Sequence, residues 1–122
     1  METTVISFGF KHGLPLEADM VLDARFLPNP HYEPSLRPLT GKDPAVRNFL
    51  VAHESFIEFL VRAEGWLRWS WPLVKEEARA YHTLAIGCTG GRHRSVALVE
   101  LLRERLAPEI PALVVLHREL NS

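Results

Sequence analysis

The sequence predicts an α/β fold: a single domain on a mostly parallel sheet of about four strands, with helices on both faces. Three observations lead there. Runs at residues 3–8, 20–26, 82–87 and 112–117 are rich in aliphatic and β-branched residues and are largely continuous rather than alternating, as strands covered on both sides are. Residues 43–81 repeat apolar side chains at helical spacing, which supplies a crossover between the second and third runs. A small-residue turn then separates the third run from another helical stretch, the succession of a parallel strand–helix–strand unit.

In chain order, the first strand meets Gly9 and opens a loop closed by Gly13 and Pro15, with Lys11 and His12 at its tip. The second is stopped by Leu27-Pro28-Asn29-Pro30. Residues 31–41, which contain Pro34 and Pro38, read as a long irregular excursion of the kind that often carries function. Asp43 and Pro44 open a helix whose buried face is Val46, Phe49, Leu50, His53, Phe56, Ile57 and Leu60, with Gly65 as its cap. Trp66 begins a second helix reaching about Tyr81, started or kinked by Pro72. After the third strand a helix spans about 92–106, closed by Ala107-Pro108, and residues 112–117 form the last strand.

A length of 122 residues is that of one domain, and 47% hydrophobic with 24% charged residues is an ordinary soluble composition. The net charge of -1 excludes a globally basic nucleic-acid binder and leaves a local basic face open. A single cysteine excludes an internal disulfide and a thiolate zinc site. No apolar run approaches the roughly 20 residues of a membrane span, and no secretory leader opens the chain, so a cytoplasmic location is expected. The six histidines lack ligand spacing beside carboxylates, so neither a metal nor a cofactor is expected.

The functional centre of the sequence is Ile86-Gly87-Cys88-Thr89-Gly90-Gly91-Arg92-His93-Arg94-Ser95. Paired glycines admit a ligand close to the backbone, and a helix opening near Arg92 turns free N–H groups and a positive dipole end toward it. That is an anion cradle, with Arg92, His93 and Arg94 adding charge beside it. In an open parallel sheet, ligands sit outside the carboxyl ends of the strands. The Lys11-His12 loop, the segment carrying Asp23, Arg25, Asn29 and His31, the turn from Cys88 to Ser95, and His117-Arg118 all follow strand ends and would share one rim.

Several readings stay open at this level. Asp23 either forms an internal ion pair with Arg25, which alternates to the same face, or accepts from a ligand hydroxyl or ammonium at the rim. Cys88 and Arg94, followed by Ser95, have the spacing of cysteine-dependent phosphatases, yet Trp71-Pro72-Leu73 lacks the aspartate of their acid loop. Trp66, Trp69 and Trp71 serve core or interface packing, which points to a homo-oligomer, or they stack on bases.

Four blocks in order carry a resemblance. They are Ser7-Phe8-Gly9-Phe10-Lys11-His12-Gly13-Leu14-Pro15, Asp23-Ala24-Arg25-Phe26-Leu27-Pro28-Asn29-Pro30-His31, Leu36-Arg37-Pro38-Leu39-Thr40-Gly41-Lys42-Asp43 and the glycine turn through Val96. Together they resemble the C-terminal domain of the RapZ family of RNase adapters, over nearly the whole of residues 1–122. The resemblance implies a module that binds small regulatory RNA and glucosamine-6-phosphate and acts with an endoribonuclease partner. It implies Asp23, Asn29, His31, Thr89, Gly90, His93 and Arg94 as the sugar-phosphate pocket, to which the cradle argument adds Gly91, Arg92 and Ser95. Lys11 and Arg94 are the RNA contacts it suggests, within a basic face that includes His12, Arg25 and Arg37.

Full-length members carry an N-terminal Gly-x-x-x-x-Gly-Lys-Ser/Thr loop, for which these residues have no counterpart, and RNA-binding members end in a basic tail that this chain lacks. The opening Met1 favours a free-standing protein. The expectation is a non-enzymatic adapter recognising a small phosphate. An RNA-binding module without metabolite sensing, and a phosphatase using Cys88 and Arg94, are the alternatives.

Overall fold

The computed structural model describes residues 1–120. Seven elements follow one another: β1 (Glu2–Gly9), β2 (Met20–Asp23), α1 (Pro44–Val51), α2 (Glu54–Lys75), β3 (Tyr81–Cys88), α3 (Arg94–Leu106) and β4 (Val114–His117). Single 3-10 turns lie at Phe10–His12 and Pro30–Tyr32. The four strands form one fully parallel sheet in the order β2-β3-β1-β4. Register sets Gly9 beside Cys88, Asp23 beside Gly87 and Ser7 beside His117, which brings the carboxyl ends to one rim.

The strand order also decides which face each connection covers. Crossovers between parallel strands are right-handed, so connections stepping across the sheet in one direction lie on one face and a reversal lies on the other. The chain steps from β2 to β3 and from β3 to β4 in the same direction, and both crossovers are helical. All three helices therefore share a face, where Val5, Leu84 and Ile86 meet Leu50, Phe56, Leu60, Leu67, Leu98 and Leu102 in the main core. Only the step from β1 to β2 runs backwards. Its connection is a 3-10 turn and a loop, and Phe10 and Ala18 from it cover Ile6, Phe8 and Ala85. The expected second helical layer is thus a loop, because residues 10–19 hold no helical repeat.

Several boundaries differ from expectation. α2 runs through both Gly65 and Pro72, and the break falls earlier, at Ala52 and His53. There His53 is extended (φ -104°, ψ 127°) and its Nδ1 lies 2.9 Å from the Phe49 carbonyl. Asp43 does precede α1, but its carboxylate accepts from the Thr40 N–H at 2.7 Å rather than from the helix. β2 ends at Asp23 because the next residues turn: the Arg25 N–H bonds to Asp23 Oδ1 at 2.9 Å, and Leu27 N–H to the Ala24 carbonyl at 3.2 Å. α3 starts at Arg94, with His93 as N-cap, and β4 starts at Val114. Trp71 is a packing residue that pins α2 to β1, its Nε1–H donating to Thr3 Oγ1 at 3.0 Å. Among the described residues no helix is long and apolar enough to cross a membrane.

Candidate functional site

β1 and β3 are neighbours at the point where the winding direction reverses, and such switch points open a crevice at the strand ends. Both strands end here in small residues. Gly91 adopts φ +78°, and a Cβ on it would stand 2.5 Å from Gly9 N and 2.7 Å from Phe8 C. A Cβ on Gly9 would in turn lie 2.5 Å from the Gly90 carbonyl carbon and oxygen. Backbone thus stacks directly on backbone, and glycine is required at both positions.

The consequence is a run of unpaired donors. Among the described residues, none accepts a hydrogen bond from the N–H of Gly90, Gly91, Arg92 or His93. α3 begins at once behind them, adding its positive end to the same place. Next to the turn lies a cleft of about 510 Å³.

Its walls come from three loops. Lys11 and His12 stand on the 3-10 turn after β1, tied to the glycine turn by the Lys11 N–H donating to the Thr89 carbonyl at 3.2 Å. Asn29, His31, Tyr32 and Arg37 come from the proline-rich excursion. That excursion is stapled on itself, with Asn29 Oδ1 accepting from His31 N–H at 3.0 Å and Arg37 Nε donating to the His31 carbonyl at 2.8 Å. Cys88, Thr89, Gly90, Gly91, Arg92, His93 and Arg94 complete the lining. Lys11, His12, His31, Arg37 and Arg92 are exposed around the mouth.

Not every expected residue is free to meet a ligand in this cleft. Arg94 is 3% exposed, and its guanidinium donates to the carbonyls of Arg25 (2.7 Å) and Leu27 (2.9 Å) and to Thr89 Oγ1 (3.4 Å). It is a strut holding the turn after β2 against the glycine turn, so its side chain is no surface contact for a polyanion. Ser95 is wholly buried behind the wall, its hydroxyl 3.2 Å from Cys88 Sγ. Asp23 and Arg25 lie at the end of β2, outside the lining. Their ion pair is half-exposed rather than internal, with contacts of 3.0 and 2.8 Å. The Arg25 guanidinium holds the Asp23 carboxyl below the usual carboxylate range, and Arg25 also stacks 3.9 Å from the Phe10 ring centroid.

His93 is 8% exposed, and burial lowers its pKa against the opposing pull of the Leu39, Leu36 and Arg37 backbone. Its Nε2 has no hydrogen-bond partner among the described residues, which leaves a neutral imidazole beside the free amides. Cys88 is 2% exposed and also receives the Ser95 N–H at 3.5 Å. Cys88 and Arg94 both line the cleft, the sulfur in contact with the Ser95 hydroxyl and the arginine Nη atoms taken up by two carbonyls and Thr89 Oγ1. Among the described residues no group of three His, Cys, Asp or Glu could hold a metal.

Tyr32 is a lining residue that the sequence did not single out. Its only signal was its place after His31 in the irregular excursion. Two further residues, Arg118 and Glu119, press on the walls from behind. Glu119 Oε2 accepts from the Gly9 N–H at 3.0 Å, a contact spanning 110 positions that no local pattern announces.

Fold and site together define an open, wound α/β domain with an amide-lined, cation-rimmed cleft at its switch point. Its sequence matches the RapZ C-terminal domain over residues 1–121, and the chain belongs to that family. A protein of Rubrobacter xylanophilus named a nucleotide-binding protein is 51% identical over 100% of this chain. Proteins of the same general name from Geobacter metallireducens and Frankia alni are 51% and 50% identical over 95% and 99% of it. The chain spans about two fifths of the length of these curated relatives, 41%, 41% and 42% respectively.

Proposed function

We propose that this domain is a non-enzymatic sensor or adapter module whose rim cleft receives a small phosphorylated molecule of the glucosamine-6-phosphate kind. The observation that carries this is the run of four backbone N–H groups beside the cleft, Gly90 to His93, that have no acceptor among the described residues. Amides at a helix N-terminus suit a phosphate because they deliver partial positive charge with no side-chain entropy to lose. Lys11, Arg37 and Arg92 raise the local potential at the mouth. At the same rim Asp23 is an ionised carboxylate, and a ligand ammonium competes with Arg25 for it. A ligand bearing both charges satisfies both ends of the rim.

Titration calorimetry with glucosamine-6-phosphate, glucose 6-phosphate, glucosamine and inorganic phosphate tests the reading. The expected order is the amino-sugar phosphate first, then plain phosphates, with glucosamine weakest. Absence of heat with all four at millimolar concentration removes the proposal.

RNA binding is the second reading, favoured by the exposed Lys11, His12, Arg37 and Arg92 around one mouth. A structured RNA retained on a filter at low salt and released at higher salt is its expected signature, since phosphate contacts exchange with counterions. Retention that ignores salt, or none at all, ends it.

A further inference from the structure

The C-terminal turn reaches two walls of the cleft without lining it. Beyond β4, the Arg118 N–H bonds to the Ser7 carbonyl at 3.0 Å, and two charged side chains then extend toward the glycine turn. Arg118 Nη2 donates to the Gly13 carbonyl at 2.6 Å and reaches the Gly9 carbonyl at 3.4 Å. Those two carbonyls bracket the turn that presents Lys11 and His12. Arg118 Nε donates to Glu119 Oε2 at 2.9 Å, and the same oxygen takes the Gly9 N–H at 3.0 Å. The stem of Glu119 fills the space in front of Gly91, where a Cβ would lie 2.5 Å from Glu119 Cγ. One ion pair therefore touches the Lys11-His12 turn on one side and the Gly90-Gly91 turn on the other.

We propose that Arg118 and Glu119 are the positioning pair of the cradle. Together they set the distance between the cationic turn and the free amides, acting through backbone and never on the ligand. A phosphate site made of main-chain N–H groups has no side chains to adjust, so its affinity depends on how firmly the loops are held. Glycines at positions 9, 90 and 91 hold nothing by themselves, and the charged fork supplies the missing rigidity. Its charges also cancel locally, so the Glu119 carboxylate stands behind an anion site without repelling its occupant. The ligand readout rests on the phosphate reading above, whereas the positions of the amides do not.

The test uses the full 15N-labelled chain as wild type, Glu119→Ala, Glu119→Gln and Arg118→Lys, titrated with inorganic phosphate. Glu119→Ala is expected to move the Gly9, Gly90, Gly91 and Lys11 amide resonances while leaving those of α2 in place, and to weaken phosphate about tenfold. Glu119→Gln keeps an acceptor for the Gly9 N–H and restores both resonances and affinity to within about threefold of wild type. Arg118→Lys keeps the charge but loses the fork, so it shifts Lys11 and His12 more than Gly91, and it carries the test should Glu119→Ala fail to fold.

Gly90 and Gly91 resonances unchanged in Glu119→Ala, or Lys11 and His12 unchanged in Arg118→Lys, overturn the proposal. So does a Gln variant no better than Ala. Wild-type amides indifferent to phosphate overturn the phosphate reading instead, and the resonances of the ligand-free variants still decide the positioning role.

Discussion

Gly90 and Gly91 share a turn but answer to different constraints. At Gly91 the left-handed φ of +78° combines with backbone atoms of Gly9 and Phe8 that cannot step aside. Gly91→Ala is expected to destabilise the domain by about 2 kcal/mol or more, read from urea melts. Gly90 has no such φ, and among the described residues nothing lies within 4 Å of its Cβ position. Gly90→Leu should leave the melt within about 0.5 kcal/mol of wild type. It should nevertheless lose phosphate binding by about tenfold or more, because the side chain enters the space before the free amides. Normal phosphate binding by Gly90→Leu moves the ligand out of the cradle. Asp23 gives a second test at this scale. Arg25→Met removes the guanidinium that competes for the carboxylate and leaves the Arg25 carbonyl for Arg94. Affinity for glucosamine-6-phosphate should rise by about two- to fivefold over that for glucose 6-phosphate, the modest range of an exposed ion pair. An equal change for both ligands takes Asp23 out of ammonium recognition.

α2 shows why local signals mislead about an element. Gly65 and Pro72 both read as boundaries, yet Phe56, Leu60, Ala63, Leu67 and Ser70 form one buried row at helical spacing that spans Gly65 and reaches Pro72. Packing of that row outweighs the penalty of one glycine and of the single backbone N–H that Pro72 lacks in the last turn. Gly65 is exposed, with no atom of the described residues within 4 Å of its Cβ position, so Gly65→Ala should stabilise the domain by about 0.5–1 kcal/mol. A lower urea midpoint for that variant contradicts a continuous α2. The glycine turn was legible because strand, turn and helix start are contiguous in sequence. Lys11, His12, Asn29 and His31 were placed near it by the rule that parallel strands gather their carboxyl ends. The direction of the Arg94 side chain was not legible, since it depends on carbonyls of Arg25 and Leu27 nearly seventy positions away. Neither was the reach of Arg118 and Glu119 to Gly9 and Gly13. The single helical face belongs to strand order, which the apolar runs alone leave undetermined.

Across the whole molecule, proton linkage joins the sheet to the site. His82 and His117 lie on β3 and β4, and His93 stands at the start of α3. Burial lowers the pKa of each. For His117 the Glu100 carboxylate opposes that shift without cancelling it, and the neutral ring donates from Nε2 to Glu100 Oε2 at 2.5 Å while Nδ1 accepts from the Ser7 hydroxyl at 2.7 Å. A histidine with a depressed folded pKa binds its proton more readily when unfolded, so stability rises with pH through that window. The contribution of these three groups is complete above the unfolded value of about 6.5 and is lost as the pH falls below it. Carboxylates add a second, lower window. Burial pushes Glu64, Glu100 and Glu119 up, but arginines, His117 and the Gly9 N–H bring each below its usual range, so their contribution fades only below about 4.3. Urea midpoints should therefore fall in two steps on acidification, the first setting in as the pH drops through about 6.5. His82→Gln should shrink that first step without touching the cleft, since His82 lies on β3 away from its lining and its Nδ1 has no partner among the described residues. A midpoint that stays level from pH 7.5 to 5.5 shows that protonating these histidines leaves folding unaffected, and with it falls the neutral ring assigned to His93 beside the amides.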